Sequence, residues 1–475
     1  MSREKDLVKN TFIVAIGKLC TQFISFFLLP LYTYILTTSE YGTVDLITTY
    51  VNLLIPIVFF QLDQGAFRFL IDLRNNSKKT KNFINTILLT FFYKTLLFVS
   101  FGLIICLFIK TKYKYFLIAN VISTGLSMLL LQISRGMGDN KTYSIGSLIS
   151  GSFTIILNVV FLVFLKFRVE GMLLATFIST CLCSLYVFLK KKIYKNLDFK
   201  CYNKKIRQEI YKYTLPLIPN QLSWWIITVS DRTIISLFLG IAANGIYSAA
   251  NKFSTICITL FSIFSLTWSE SASLAINDKD RDIFMSKIIN ESLRIFISLI
   301  IGIIAFMPFV FKYFIVGEEY SSAYLQIPIL LISTIFNIVV SLLGGIYVAQ
   351  KDSKKIAKTS VYSAMINLLV NILLIKYIGL FAASISTLIA YLSMAIYRYY
   401  DVKKQLNIKI EKRFILSSII LLAFILIFYY LKNRYLNFLG IVLAIIFAFT
   451  NTKKLIYDII KNLQIKYKRR KNIWK

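Results

Sequence analysis

Fourteen stretches of this chain are apolar over the length needed to cross a hydrocarbon core, and that recurrence limits the fold more than any other feature. They run over 11–36, 43–67, 83–109, 115–134, 144–165, 170–189, 213–239, 245–275, 288–315, 324–349, 356–375, 378–399, 414–431 and 435–451. An α-helix needs about 20 apolar residues to span a bilayer. In lipid each backbone N–H and C=O must be paired within the segment, which selects helices for runs of this length. The expected class is an all-α integral membrane protein of about fourteen transmembrane helices. Charged residues make up only 16% of 475, too few to coat a soluble chain of that size. The first apolar run is too long for a signal peptide, and no small-residue cleavage site follows it. It reads as a retained span.

The formal net charge of +33 would suggest nucleic acid in a soluble protein. Its distribution points elsewhere. With the N-terminus placed in the cytoplasm, the outer loops hold nine basic residues: Lys110, Lys112, Lys114, Lys166, Arg168, Lys312, Lys376, Lys432 and Arg434. Five more lie within spans, which leaves 41 of the 55 Lys and Arg in inner segments. That asymmetry is the positive-inside pattern, with both termini cytoplasmic. It removes the nucleic-acid reading and adds attraction to an anionic inner leaflet and its lipids. The chain has no histidine, which removes His-based catalysis. Its six cysteines lie mostly in apolar runs, and Cys181-x-Cys183 lacks a partner cluster, so neither a zinc site nor a disulfide framework is expected. Gly17-Lys18 lacks the upstream glycine of a phosphate loop, so ATP hydrolysis is not expected. The expectation is a protein that is not an enzyme and carries no organic cofactor or metal.

The stretch from Tyr213 to Ala275 contains charge where lipid would expel it. Asp231 and Arg232 sit within one apolar segment and Lys252 within the next. Each such charge costs about 2.5–3.5 kcal/mol on insertion scales, so groups of this kind usually face a wet cavity. Gln221, Trp225, Thr228 and Arg232 recur at i, i+4, i+7 and i+11, one face of a helix. Ser248, Asn251, Lys252, Thr255, Thr259, Ser262, Ser265 and Ser269 form a second stripe. The first span carries Lys18, Thr21, Gln22 and Ser25; the second carries Asp45, Thr49, Asn52 and Pro56, then Asp63. The candidate cavity residues are Lys18, Gln22, Asn52, Lys94, Asn220, Gln221, Arg232, Lys252 and Arg294. Asp63, Asp231 and Glu270 are candidates for binding a coupling H⁺ or Na⁺. Three uncharged stripes read as packing and hydrogen-bond surfaces: Asn120, Thr124 and Ser127; Asn337, Ser341 and Gly344; Ser363, Asn367 and Asn371.

A weak internal repeat organises the spans. LTTSEYG before the second span matches LGIAANG before the eighth, and this sets Gly42 against Gly245, 203 residues apart. One copy is six spans, so both copies enter from the same side as parallel repeats. The expected organisation is an N-terminal lobe over 1–195, a cytoplasmic linker over 196–212 and a C-terminal lobe over 213–402. Two additional spans follow within 403–455, then a basic cytoplasmic tail over 456–475. The two six-helix lobes would flank a central cleft.

The segment PLIPNQLSWWIITVSDRTIIS, followed by GIYSAANKFS and Trp268, resembles the start of the second half of bacterial polysaccharide flippases. These O-antigen and capsule repeat-unit transporters belong to the multidrug/oligosaccharidyl-lipid/polysaccharide exporter superfamily. The opening KNTFIVAIGKL and LPLYTYILTTSEYG is similar to the family's first span and loop. The resemblance implies movement of an undecaprenyl-pyrophosphate-linked oligosaccharide from the inner to the outer leaflet of the bacterial cytoplasmic membrane. A polysaccharide polymerase is a candidate partner. A cleft with cations and Ser, Thr, Asn and Gln stripes suits a pyrophosphate and a sugar. A multidrug or organic cation antiporter of the same superfamily is the alternative, although it would favour acidic groups where the mid-span charge here is mostly basic. A lipid II-type flippase is a close variant. A membrane polymerase would need a sizeable external loop, which the spacing of the spans does not leave.

Overall fold

The computed structural model describes residues 26–74, 76–108, 111–196, 202–350 and 352–473, with side chains as far as 453 apart from positions 195, 196, 266 and 353. These residues form α-helices and short 3₁₀ or π turns. The helices are α1 (Leu29–Ile35), α2 (Thr38–Phe59), α3 (Leu62–Leu73), α4 (Ser77–Phe108), α5 (Lys114–Gly136) and α6 (Asn140–Val159). They continue as α7 (Arg168–Lys190), α8 (Lys204–Thr214), α9 (Ile218–Phe238), α10 (Ile241–Ala275) and α11 (Arg281–Phe314). The last five are α12 (Ala323–Ala349), α13 (Ser353–Ile378), α14 (Leu380–Lys403), α15 (Lys412–Leu431) and α16 (Arg434–Ile473). Twelve helices among the described residues are long and apolar enough to cross a membrane. The chain is therefore an all-α, multi-pass membrane protein. Of the two other expected spans, α9 has 21 residues, but its polar positions lower its hydropathy. The first span lies largely outside the described residues, with α1 at its end.

Local sequence explains the helix ends. Thr37 and Glu40 form a capping box at the start of α2: the Glu40 N–H donates to Thr37 Oγ1 at 3.2 Å, and the Thr37 N–H donates to Glu40 Oε2 at 2.9 Å. Asp139 caps α6, accepting from the Thr142 N–H at 2.9 Å. Gly240 takes φ +90° between α9 and α10, a conformation that an L side chain rarely adopts. The second span is shorter than its apolar run. Pro56 lies inside α2, then Phe60 and Gln61 adopt left-handed φ of 53° and 54° and end the helix. Asp63 accordingly lies on the separate helix α3, where the Gln64 amide donates to it at 2.7 Å.

The chain packs as two compact units. The first comprises Met1–Ala249, so far as described, with Ile315–Ser321 and Asn371–Leu380. Its core gathers Phe59, Leu62, Ala66 and Leu70 with Phe91, Leu130, Ile133 and Ile210. Phe59 and Phe91 stack at 4.2 Å, and Gly125 leaves the room that the Phe59 ring occupies. The second unit comprises Ala250–Phe314, Ser322–Val370 and Phe381–Lys475. There Trp268 is 2% exposed and donates from Nε1 to the Leu342 carbonyl at 2.8 Å, against Gly345, where any Cβ would overlap the indole. Tyr324 and Tyr429 stack at 4.1 Å, and Asn290 donates to the Lys409 carbonyl at 2.7 Å.

Candidate functional site

Within the first unit, α2, α9 and α10 bring a carboxylate and a guanidinium together along their spans. Arg232 Nε donates to Asp45 Oδ2 at 2.8 Å, and Ser248 Oγ donates to the same oxygen at 2.6 Å. The Arg232 and Asp45 side chains are 12% and 19% exposed. Arg232 Nη1 also donates to the Thr228 carbonyl one turn back at 3.1 Å. Trp225, about two turns before Arg232 on the same stripe, fixes α9 to α2 through Nε1 and the Thr49 carbonyl at 3.2 Å.

Asp231 points elsewhere, as neighbours on a helix do. Tyr247 Oη donates to its Oδ2 at 2.9 Å, and Asn371 Nδ2 donates to its Oδ1 at 2.8 Å. The carboxylate is 1% exposed. At membrane depth these hydrogen bonds offset part of the cost of burying it.

The two glycines of the repeat meet. A Cβ on Gly42 would overlap the Ile241 carbonyl, and one on Gly245 would overlap the Thr38 carbonyl. Thr38 and Ile241 are themselves 203 apart, so the contact is reciprocal, as at a two-fold axis. Asp45 and Ser248 are also 203 apart and bond to each other. Asn244 adds a bond to the Gly42 carbonyl at 3.0 Å. The crossing is reinforced by the 315–321 segment. Tyr320 Oη donates to the Thr37 carbonyl at 2.9 Å, the Val316 N–H to Thr33 Oγ1 at 3.1 Å, and the Thr38 N–H to Glu319 Oε2 at 3.2 Å. On the flank, Arg168 pairs with Glu40 at 2.7 Å.

The remaining expected site residues fall in several places. Lys18 and Gln22 lie outside the described residues. Asn52, Asn220 and Gln221 are exposed, as is Thr228. Lys94 lies 3.5 Å above the Phe60 ring, near Tyr211. Lys252 is partly buried on α10 in the second unit. Arg294, also in the second unit, pairs with Glu411 and reaches the Asn451 carbonyl at 3.4 Å. Glu270 is exposed. Asp45, Tyr247, Asn244 and Asn371 were absent from the expected set. Asp45 is legible through the repeat, which sets it opposite Ser248. Asn371 read as a packing residue, and no periodicity in its own span links it to Asp231.

This architecture has relatives among solved structures. The lipid II flippase MurJ in an inward closed conformation aligns at a TM-score of 0.68 and 16% identity, covering 95% of this chain and 100% of that one. An inward-facing multidrug resistance MATE family transporter of the MOP superfamily aligns at 0.64 and 15%, covering 81% and 96%. A MOP superfamily transporter from Pyrococcus furiosus aligns at 0.58 and 13%, covering 83% and 96%. At these identities the likeness shows the fold alone: a multi-pass membrane bundle of helices arranged as in those proteins. No curated protein matches the sequence. The family model described as "Polysaccharide biosynthesis protein" matches residues 7–269, more than half of the chain, and the chain belongs to that family.

Proposed function

We propose that this protein is a flippase of the bacterial cytoplasmic membrane, moving undecaprenyl-pyrophosphate-linked oligosaccharide repeat units to the outer leaflet for surface polysaccharide assembly. The observation that carries this reading is Arg232, held by Asp45 within membrane-spanning helices, in a chain of the polysaccharide biosynthesis family. A guanidinium at that depth is costly without an anionic partner. Asp45 supplies one at rest, and a pyrophosphate offers oxygens that a guanidinium can grip bidentately. Exposed Asn52, Gln221 and Thr228 on the same two helices are suited to sugar hydroxyls. The lipid tail stays in the bilayer, since extracting it costs about 0.8 kcal/mol per CH₂.

By the positive-inside rule the Gly42–Gly245 crossing lies toward the outer face. We assign it, with Tyr320 and Glu319, to a closed outer gate of an alternating-access cycle. Lys18, Gln22, Lys94, Asn220, Lys252 and Arg294 remain proposed contacts, and Asp63, Asp231 and Glu270 proposed sites for a coupling H⁺ or Na⁺. Both termini are placed in the cytoplasm, and a polysaccharide polymerase is the proposed partner. Deleting the gene in its host tests the reading. Surface polysaccharide should disappear and be restored by the wild-type chain. A Lys18→Gln/Arg232→Gln/Lys252→Gln chain that inserts normally should not restore it; full restoration by that chain would reject the assignment. Unchanged polysaccharide with raised sensitivity to organic cations would favour the antiporter reading.

A further inference from the structure

The second unit carries a groove on its surface that the transport reading does not use. It consists of two adjoining hollows, one of about 350 Å³ between α13 and α14 and one of about 450 Å³ along the C-terminal half of α14, which share Ser393 and Tyr397. Close approach of the helices sets its floor: Ser363 Oγ donates to the Ala390 carbonyl at 2.9 Å. Its walls mix apolar and phenolic side chains. Met365 is 53% exposed, Ile396 49%, and the tyrosines at 362, 397 and 400 are about as open or more so.

Charge gathers at one end of the groove. Lys404 lines the larger hollow, and Lys358 sits over the Tyr362 ring at 5.8 Å. Asp401, the acidic residue in the lining, is matched by Lys355 at 2.9 Å and accepts from Tyr347 Oη at 2.9 Å. Behind the groove Arg398 is 1% exposed. It donates to Thr359 Oγ1 from Nε at 3.0 Å and from Nη2 at 2.8 Å, and to the Val340 carbonyl at 2.9 Å. Those partners are all neutral, and Thr359 itself lines the smaller hollow. A buried cation bonded only to neutral oxygens leaves its field uncompensated, and that field favours an anion nearby.

We propose that this groove binds one anionic phospholipid of the inner leaflet. Its phosphate is held at the basic end by Lys358 and Lys404 over the field of Arg398, and an acyl chain lies along Met365, Ile366 and Ile396. Three features select this occupant. Basic pockets between helices on the cytoplasmic side take phospholipid headgroups. Tyrosine is the side chain of the headgroup level. The distance from Lys358 to Met365, about 10 Å along the helix, sets a headgroup above and a chain below.

Native mass spectrometry of the detergent-purified full chain tests this, with palmitoyl-oleoyl phosphatidylglycerol and the matching phosphatidylcholine as probes. The wild type should retain one phosphatidylglycerol in preference to phosphatidylcholine. Lys358→Glu/Lys404→Glu should lower that retention by about tenfold or more. Ser393→Trp, which fills the groove and leaves every charge in place, should lower it as well. Lys78→Glu/Lys79→Glu makes the same charge change at exposed positions in the other unit and should retain the lipid. The milder Lys358→Gln/Lys404→Gln pair reads the same loss should the reversal fail to fold. Undiminished retention by the Lys358/Lys404 variants or by Ser393→Trp would overturn the site. Equal loss in the Lys78/Lys79 variant would also overturn it, in favour of a general surface field. Pairing of two copies through the groove would show as a dimer without lipid and would overturn it too. None of these readouts depends on what the protein transports.

Discussion

At the scale of single residues, the account rests on how Asp45 and Arg232 hold each other. Removing one member of a mostly buried pair leaves the other uncompensated, at a cost of about 3–5 kcal/mol, whereas removing both is milder. Asp45→Asn and Arg232→Gln should each lower thermal stability in detergent more than the double variant does relative to either single change. Strict additivity would show that the pair is not coupled. Arg232→Lys should keep the protein folded yet impair export, because an ammonium lacks the bidentate fork. Asp139 provides a separate residue-level test, outside the spans. Burial pushes its carboxyl up, but Lys191 at 2.6 Å and the Thr142 donors outweigh burial and bring it down to about 2. A depressed carboxylate contributes stability above its unfolded pKa and loses it as pH falls through the folded value. Asp139→Asn keeps a good helix cap and loses only the ion pair, a partly exposed one worth about 1 kcal/mol or less. The gap in melting temperature from wild type should be present at pH 7 and close as pH falls from about 4 toward 2; a gap that persists at the acid end would assign the effect to something other than this ion pair. The stripe through Gln221, Trp225, Thr228 and Arg232 leaves Asp231 on another face of the helix, and the structure gives the two residues different partners. It did not place Asn371 beside Asp231, because that contact spans 140 positions with no periodic signal.

At the scale of helices, nearly every element was legible from apolar run length, since lipid leaves the backbone few alternatives. The boundaries that moved have local causes. The run through 43–67 reads as one span, yet left-handed Phe60 and Gln61, just before the polar Asp63 and Gln64, end α2 and leave α3 to pack as its own helix. The α9 span reads as helical by its stripe, although its polar residues lower its hydropathy. The repeat alignment set Gly42 against Gly245 as equivalent positions, and in the fold those positions touch. Small residues are what allow two membrane helices to approach this closely. Gly42→Ala or Gly245→Ala should therefore push α2 and α10 apart, with a large loss of folded protein by size-exclusion chromatography. Gly302→Ala, on α11 with open space around its Cα, should be neutral or stabilising by about 1 kcal/mol. Equal effects at the three glycines would mean the crossing is not tight.

At the scale of the whole molecule, membrane class follows from the twelve long apolar helices among the described residues, and the family follows from residues 7–269. Cargo was less legible, because sugar recognition relies on Asn, Gln, Ser and Thr, the same residues that join helices in any bundle. The signal on which the proposed cargo rests is Arg232, a cation within membrane-spanning helices held by Asp45. The most direct measurement is transport by purified protein in liposomes loaded with undecaprenyl-pyrophosphate oligosaccharide, read as the sugar that becomes accessible to an impermeant lectin. The wild type should expose it over a protein-free background, and Arg232→Gln, inserted to the same level, should fall to that background. Exposure by Arg232→Gln at the wild-type rate would contradict the account.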